Sequence, residues 1–241
     1  MKAMVLKRLC NLLENQTPLE LMECPVPVPA EHEILIKVSM CGVCHTELDE
    51  IEGRTPPPNL PIVPGHQVIG RVEAIGNKVS TFSIDDRVGV AWIFSACGNC
   101  KFCLSGHENL CNAFEATGRD TNGGYAQYMT ISEQFAYAIP AFFSDEKAAP
   151  LLCAGAIGYR SLRLTGLKDG QRLGLTGFGA SAHLVLKMVK HLYPKTEVYV
   201  FTRNTTERTF ALGLGATWAG DTREMAPEKL DSIIDTTPAW E

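Results

Sequence analysis

No uninterrupted apolar stretch in these 241 residues is long enough to cross a bilayer, so a transmembrane helix is not expected. There is no basic stripe and no run of like charges. With a formal net charge of −5, the chain is a poor match for nucleic acid or an anionic membrane surface. The opening residues, Met1-Lys2-Ala3-Met4-Val5-Leu6-Lys7-Arg8, hold too few apolar side chains for a signal peptide, and the expected compartment is the cytoplasm. Internal repeats and low-complexity segments are missing too. What is present is the composition of a soluble globular protein, 45% hydrophobic and 20% charged, with length for one large domain or two ordinary ones. The nine cysteines are an odd number, and four crowd into residues 97 to 111. In a reducing compartment that pattern points to metal ligation rather than disulfides.

The chain changes grammar near residue 150, which predicts an α/β protein with a β-rich N-terminal domain. Before that point, short alternating runs such as Glu33–Val38 and Gly70–Ile75 are broken by Gly, Pro and Asn. The stretch Thr55–Pro61, with three successive prolines, must be an extended loop. After it, Arg172–Thr176, Glu197–Thr202, Ala216–Ala219 and Leu230–Asp235 read as four strands, with helices at Ala180–Leu192 and Thr205–Leu214. Strand alternating with helix implies a parallel sheet with crossover connections.

The most specific local signal is Cys97-x2-Cys100-x2-Cys103-x7-Cys111. Four thiolates so spaced can wrap one tetrahedral Zn²⁺ with no open position, which is a structural site. An iron–sulfur cluster can use similar spacing. Four buried free thiols are the bland alternative, disfavoured because such crowding invites oxidation. Three more residues stand in suggestive settings: Cys44 in Cys41-Gly42-Val43-Cys44-His45-Thr46-Glu47, His66 in Pro64-Gly65-His66-Gln67, and Cys153 in Leu151-Leu152-Cys153-Ala154-Gly155. Singly each is weak. A lone Cys is usually a small core residue, and Cys41 with Cys44 could form a redox pair, although no βαβ pattern surrounds them.

Later in the chain, Gly177-Phe178-Gly179-Ala180-Ser181-Ala182 follows a strand and opens a helix, reading G-x-G-x-x-A. The amides of such a helix start can bind a pyrophosphate. The second strand then ends Val200-Phe201-Thr202-Arg203-Asn204, without the carboxylate that holds a ribose 2′-hydroxyl in NAD sites. Arg203 can instead pair a 2′-phosphate, which favours NADP(H) over NAD(H). A solvated surface charge is the alternative for Arg203.

Taken in order, the Cys-Gly-Val-Cys-His-Thr segment, Gly-His-x-x-x-Gly, Val88–Trp92, the four-cysteine loop, Gly123-Gly124-Tyr125-Ala126, Cys153 and the Gly-rich turn run along essentially the whole chain. The series resembles the zinc-containing alcohol dehydrogenases of the medium-chain dehydrogenase/reductase superfamily, most of all the bacterial propanol-preferring type. The resemblance implies a GroES-like zinc-binding catalytic domain over residues 1–154 and a Rossmann dinucleotide-binding domain over 155–241. It also implies two zinc ions per chain. Cys44, His66 and Cys153 match the ligands of the catalytic zinc, with a fourth position for water or a substrate oxygen, and Cys97, Cys100, Cys103 and Cys111 match the structural zinc. Thr46 matches the hydroxyl that relays the substrate proton, Asp49 the outer end of that relay, and Glu47 the acid that orients the His ligand. His45, Gly177, Gly179, Ala180, Ala182, Thr202 and Arg203 match cofactor-binding positions. Trp92 matches an aromatic wall of the substrate pocket, with ordinary core packing as its alternative.

Two positions depart from the pattern. Gln67 stands where the family usually has Glu, and Asp49 where many members carry His. The dinucleotide sheet is expected to be partial. By sequence it ends just after strand four, at Thr236–Glu241, so strands five and six of the order 3-2-1-4-5-6 are missing and strand four presents an unpaired apolar edge. The implied activity is hydride transfer between NADP(H) and a small primary alcohol or aldehyde. A catalytically inactive, truncated zinc-binding remnant is the rival reading. A zinc-free quinone reductase of the same superfamily would have no need of seven metal-type ligands. Neither a nucleic-acid nor a membrane partner is implied. A homo-oligomer is disfavoured, because the region that forms the subunit interface in related enzymes is missing.

Overall fold

A computed structural model describes residues 1–237. Pro238-Ala239-Trp240-Glu241, where the sequence reading places the end of the chain beyond strand four, lie outside the described residues. The chain divides into two compact units, Met1–Cys153 and Ala154–Glu241.

The first unit is built from strands β1 (Lys2–Leu6), β2 (Leu19–Glu23) and β3 (Glu33–Cys41), helix α1 (His45–Ile51), then β4 (Val68–Ile75), β5 (Arg87–Val90) and β6 (Ile93–Ser95). Helix α2 (Lys101–Leu104), β7 (Glu115–Ala116), β8 (Tyr128–Ser132), β9 (Ala136–Ala138) and helix α3 (Asp145–Ala148) complete it. Five strands form one antiparallel sheet in the order β8-β3-β4-β5-β9. The alternation read from the sequence buries Ile34, Ile36, Val68, Val72, Val88, Val90, Met129 and Ile131 in one core. Both predicted runs extend further than the alternation alone indicated: β3 continues to Cys41 and β4 begins at Val68. The added residues pair, Met40 with Ile69 and Cys41 with Val68, after a register shift between Val38 and Met40. A bulge of that kind re-aims the chain that leaves the strand. It places the segments carrying Cys44 and His66 at the same end of the sheet.

The second unit comprises helix α4 (Ala154–Leu164), β10 (Arg172–Thr176), helix α5 (Ala180–Leu192), β11 (Glu197–Phe201), helix α6 (Thr205–Gly213), β12 (Trp218–Gly220) and β13 (Ser232–Asp235). Its sheet is parallel, ordered β12-β11-β10-β13, so the strands run third, second, first, fourth in chain order. This is the doubly wound arrangement expected from the alternating pattern. Leu173, Leu175, Val198 and Val200 are fully buried beneath Val185, Leu186 and Val189 of α5. Continuous apolar strands of this sort are what a parallel sheet covered by helices requires. Among the described residues, no helix is long and apolar enough to cross a membrane.

Candidate functional site

The local sequence Cys-His-Thr-Glu builds the start of α1. Cys44 is its N-cap, with extended backbone, and its sulfur accepts the Thr46 N–H at 3.4 Å. Glu47 closes the reciprocal half of the box by accepting the Cys44 N–H at 2.8 Å. A capping box normally uses Ser or Thr, and here a thiol takes that place. The other Glu47 oxygen lies 2.7 Å from Nδ1 of His66, and both side chains are buried. Neither of these two atoms has an aligned hydrogen bond, so the contact is a close charge pairing across a bent N–H···O line.

His66 reaches this place through Gly65. That residue has φ of +101°, and an added Cβ would lie 2.6 Å from Tyr125 and 2.9 Å from the sulfur of Cys41. Only glycine fits such a left-handed, crowded position. From there Nε2 of His66 sits 3.6 Å from Sγ of Cys44, and Sγ of Cys153 sits 3.8 Å from the same sulfur.

These spacings test whether a metal fits. Zn–S bonds of about 2.3 Å and a Zn–N bond of about 2.0 Å give tetrahedral edges of about 3.8 Å between sulfurs and about 3.6 Å between sulfur and nitrogen. The Cys44–Cys153 and Cys44–His66 distances match both edges. A disulfide needs sulfurs near 2 Å, so the thiols are set for an ion rather than for each other. Residues 97, 100, 103 and 111 form the second group, with Cys97–Cys103 at 3.9 Å and Cys100–Cys103 at 3.6 Å. In each group all ligand atoms lie within 4.8 Å of one another.

The charges of the metal-free site follow from these contacts. Hydrogen bonding from Cys153 pulls the Cys44 thiol far below its ordinary range, and the same bond with burial pushes Cys153 up, so one proton is shared between them. Burial opposes charge on His66, but the Cys44 sulfur and the Glu47 carboxylate outweigh it and raise the imidazole to about 9. Burial pushes the Cys41 thiol up to about 12, which opposes thiolate formation there.

One neighbour was not foreseen from the sequence. Glu50, three residues after Glu47 on the same face of α1, is 1% exposed, and among the described residues neither carboxylate oxygen has a partner. Burial first, then the Glu47 charge, raises its carboxyl to about 8. The i, i+3 spacing of two acids on an amphipathic turn was the available signal.

Asp49 accepts Nε of Arg54 at 2.5 Å and stands 3.6 Å from Nε2 of His45, so its carboxylate is already engaged by a cation. Thr46 lies beside Cys44 in the first turn of α1. Trp92 meets His66 edge-on, with ring centroids 5.0 Å apart, and the guanidinium of Arg119 lies 5.6 Å over its ring. Trp92 therefore stands against a candidate ligand rather than deep in the sheet core.

In the second unit, Gly177 has φ of +73°, which turns the chain sharply out of β10. Gly179 is the N-cap of α5 and makes no side-chain capping bond, and open space surrounds the place a Cβ would occupy. Ala180 begins the helix, and Ala182 is fully buried against the core. Among the described residues no acceptor takes the first amides of this helix, which is where an anion can bind. At the end of β11, Oγ1 of Thr202 donates to Glu207 at 2.5 Å, which occupies the one carboxylate of the following turn. Arg203 is exposed, and Arg208 donates to the carbonyls of Thr202 and Arg203 while pairing with Asp221.

A curled antiparallel sheet with two cysteine-rich groups, followed by a doubly wound parallel sheet, defines a medium-chain dehydrogenase/reductase. Residues 30–141 match the alcohol dehydrogenase GroES-like domain model. A protein named probable alcohol dehydrogenase AdhA from Mycobacterium tuberculosis is 45% identical over 226 residues, covering 92% of this chain and 65% of that protein. An alcohol dehydrogenase of Geobacillus stearothermophilus is 39% identical over 174 residues, covering 72% of this chain and 52% of that protein. Among solved structures, a cinnamyl alcohol dehydrogenase of Sorghum bicolor superposes with a TM-score of 0.89 at 30% identity, covering all of this chain and 70% of that one. CAD from Helicobacter pylori, complexed with NADP(H), gives 0.88 at 26% identity, over 98% of this chain and 69% of that one. The chain belongs to the zinc-dependent alcohol dehydrogenases of the medium-chain superfamily, and it spans between half and two thirds of the length of these two curated relatives.

The protonation pattern gives a measurable consequence. Metal ligation requires neutral imidazole and two thiolates. Below pH 9 the free site holds one proton on His66 and one on the thiol pair, so an ion displaces two. Affinity at this site should therefore climb about a hundredfold per pH unit between pH 5 and 8. Three independent ordinary groups would give about a thousandfold per unit below pH 6. Competition with a chromophoric chelator, after the 97–111 loop is loaded, measures the slope. The Glu50→Gln variant keeps that carboxyl from adding a third proton, and a slope of three there would refute the shared-proton arrangement.

Proposed function

We propose that this chain is a zinc-dependent oxidoreductase that transfers a hydride between NADP(H), less readily NAD(H), and a small primary alcohol or aldehyde. The observation that carries this reading is the convergence of Cys44, His66 and Cys153, distant in sequence, at the edge lengths of one tetrahedron. Three side chains leave a corner open, as a site that acts on a substrate oxygen must. A second zinc in the four-cysteine group, with no open corner, serves structure alone.

Zinc bound by Cys44, His66 and Cys153 supplies Lewis acidity to the alcohol or carbonyl oxygen. The protein's own part begins with Glu47, which holds the imidazole by its Nδ1 and keeps Nε2 turned to the ion. Trp92 walls the oxygen's surroundings with an apolar face, and Thr46 offers the hydroxyl through which the substrate proton leaves. With Asp49 bound by Arg54, the relay continues from Thr46 to water rather than to a free carboxylate. Gln67 puts a neutral side chain next to His66 in the chain, and an ion held there would be more electrophilic than with an acid at that position. In the second unit, the amides at Ala180 to Ala182 would hold the pyrophosphate. Arg203, exposed just beyond β11 and next to Thr202, would pair the ribose phosphate of NADP(H). The Helicobacter pylori relative, solved with NADP(H), is consistent with that choice of cofactor.

The test is zinc quantification together with rates on a panel of short alcohols and aldehydes, with each cofactor in turn. Two zinc ions per chain and NADPH-dependent aldehyde reduction, with kcat/KM at least about tenfold above that with NADH, are expected, a difference near 1.4 kcal/mol. A preference for NADH would overturn the role of Arg203. Two zinc ions without turnover would select the inactive zinc-binding remnant.

A further inference from the structure

Two of the three candidate ligands owe their place to backbone pairing. Cys44 follows β3 and His66 precedes β4, and the Cys41–Val68 pair ties those strand ends together. Cys153 has no such support. It ends the connector that leaves β9 at Ala138, and this connector holds only the short α3 and one 3₁₀ turn. The connector's first residue, Ile139, still donates its N–H to the Arg87 carbonyl of β5 at 3.2 Å, and beyond that point side chains hold the connector to the sheet. Ala148, Ala149, Ile139, Phe143 and Leu152 pack against Ile69 and Met40, an apolar contact that tolerates sliding.

Direction and register come from one charged group. Asp145, the first residue of α3, accepts Nε and Nη2 of Arg87 on Oδ1, at 2.9 and 2.5 Å. Its other oxygen accepts the hydroxyl of Ser39 at 2.5 Å. The third nitrogen of Arg87, Nη1, reaches the carbonyl of Pro140 at 3.1 Å, at the start of the same connector. Ser39 is on β3 and Arg87 on β5, so a single carboxylate is tied to strands on both sides of β4. Charge-assisted bonds to two fixed points are directional, which apolar packing is not.

We propose that Asp145 is the positioning residue for Cys153: the Ser39–Asp145–Arg87 clamp sets the connector so that the Cys153 sulfur arrives at Cys44 and His66. The proposal rests on the reading of those three residues as metal ligands. A residue acting through a ligand in this way is expected to change metal affinity by about 10- to 100-fold.

Cobalt(II) titration of the full chain tests it, because thiolate-to-cobalt absorption distinguishes a four-sulfur site from a two-sulfur, one-nitrogen site. The wild type should take up two ions with two distinct spectra. In Asp145→Ala the two-sulfur site should bind about 10- to 100-fold more weakly with an altered spectrum, while the four-sulfur site keeps its affinity and bands. Asp145→Asn, which keeps an acceptor for Arg87, should recover part of the loss. Should Asp145→Ala not fold, Ser39→Ala removes one arm alone and should weaken the same site by a smaller factor. Unchanged affinity and spectrum at the two-sulfur site in a folded variant would overturn the proposal, as would equal weakening of both sites, the mark of a general structural role. A wild type that binds cobalt only at the four-sulfur site would overturn the ligand reading itself, and is told apart because it needs no variant.

Discussion

Replacing Cys153 by serine should remove one zinc ion from the chain and lower alcohol or aldehyde turnover by about 10³-fold or more, equivalent to roughly 4 kcal/mol of transition-state stabilisation. The reason lies in ligand chemistry. A serine hydroxyl keeps its proton at neutral pH, so the anionic sulfur is replaced by a neutral oxygen and the site is left with one thiolate and one imidazole. The variant is also a clean one. Cys153 is only half-buried and lies outside the sheet core, so the substitution creates no large cavity there. The four-cysteine loop is untouched and should retain its ion, so elemental analysis falls from two zinc ions to one rather than to none. Turnover retained with one zinc would show that the chemistry does not use this centre. Loss of both ions would instead show that the two groups fold as one unit.

Much of this arrangement could be read from the residues. The β-rich first unit and the parallel second sheet were legible, because alternating and continuous apolar runs report which faces a strand buries, and the strand order followed from the doubly wound class that the Gly-rich turn marks. Helix α5 begins and ends where the pattern placed it, since the Gly-rich turn marks its start and the apolar stripe its length. The strands β3 and β4 were read too short. Their last pairs, Met40–Ile69 and Cys41–Val68, follow a register shift, and a bulge leaves no mark in simple alternation. Of the candidate site, the four-cysteine loop is local and could be recognised by spacing alone. The Cys44, His66 and Cys153 group could not, because no periodicity predicts that three separate loops meet. Only the ordered series of family motifs brought those residues to notice.

The electrostatic setting was the least legible part. Asp49 was matched to the outer end of a proton relay, yet what Asp49 can do is decided by Arg54. Nothing in the order of residues 49 to 54 required that pairing. Glu50 escaped attention because an acid on a short helix is usually solvated, and its burial is a property of packing around α1. The same holds for Asp145, whose partners Ser39 and Arg87 are 106 and 58 residues away in the chain. Long-range polar contacts of this sort leave no local signature, and they are where positioning is set.

Replacing Cys100 by serine should have an equally large but spatially separate effect. The segment between β6 and β7 contains one helix of four residues and a three-residue 3₁₀ turn, too short to be stable alone. It fully buries little apolar surface: Phe102 and Phe114 are only half-buried, the latter beside Trp92. Leu104 is 76% exposed and Leu110 48% exposed, and Cys111 is the buried hydrophobic residue of the stretch. The few backbone hydrogen bonds of the loop are local, so a metal held by the four sulfurs is expected to offset the larger part of the entropy of ordering it. Structural zinc contributes about 10–16 kcal/mol in small zinc-binding peptides. With one thiolate gone the loop should open locally. Protease cleavage inside residues 97–111, and amide exchange there, should accelerate by about 10³-fold or more, as expected for a segment whose opening energy falls by at least about 4 kcal/mol. The five-stranded sheet should persist, because Ile34, Ile36, Val68 and their neighbours form a core that the loop does not enter. Protection retained in the loop of Cys100→Ser would mean that contacts other than the metal hold it. Collapse of the whole unit would mean that the loop supports the sheet, and by either result its role as a closed, self-contained metal knuckle would be wrong.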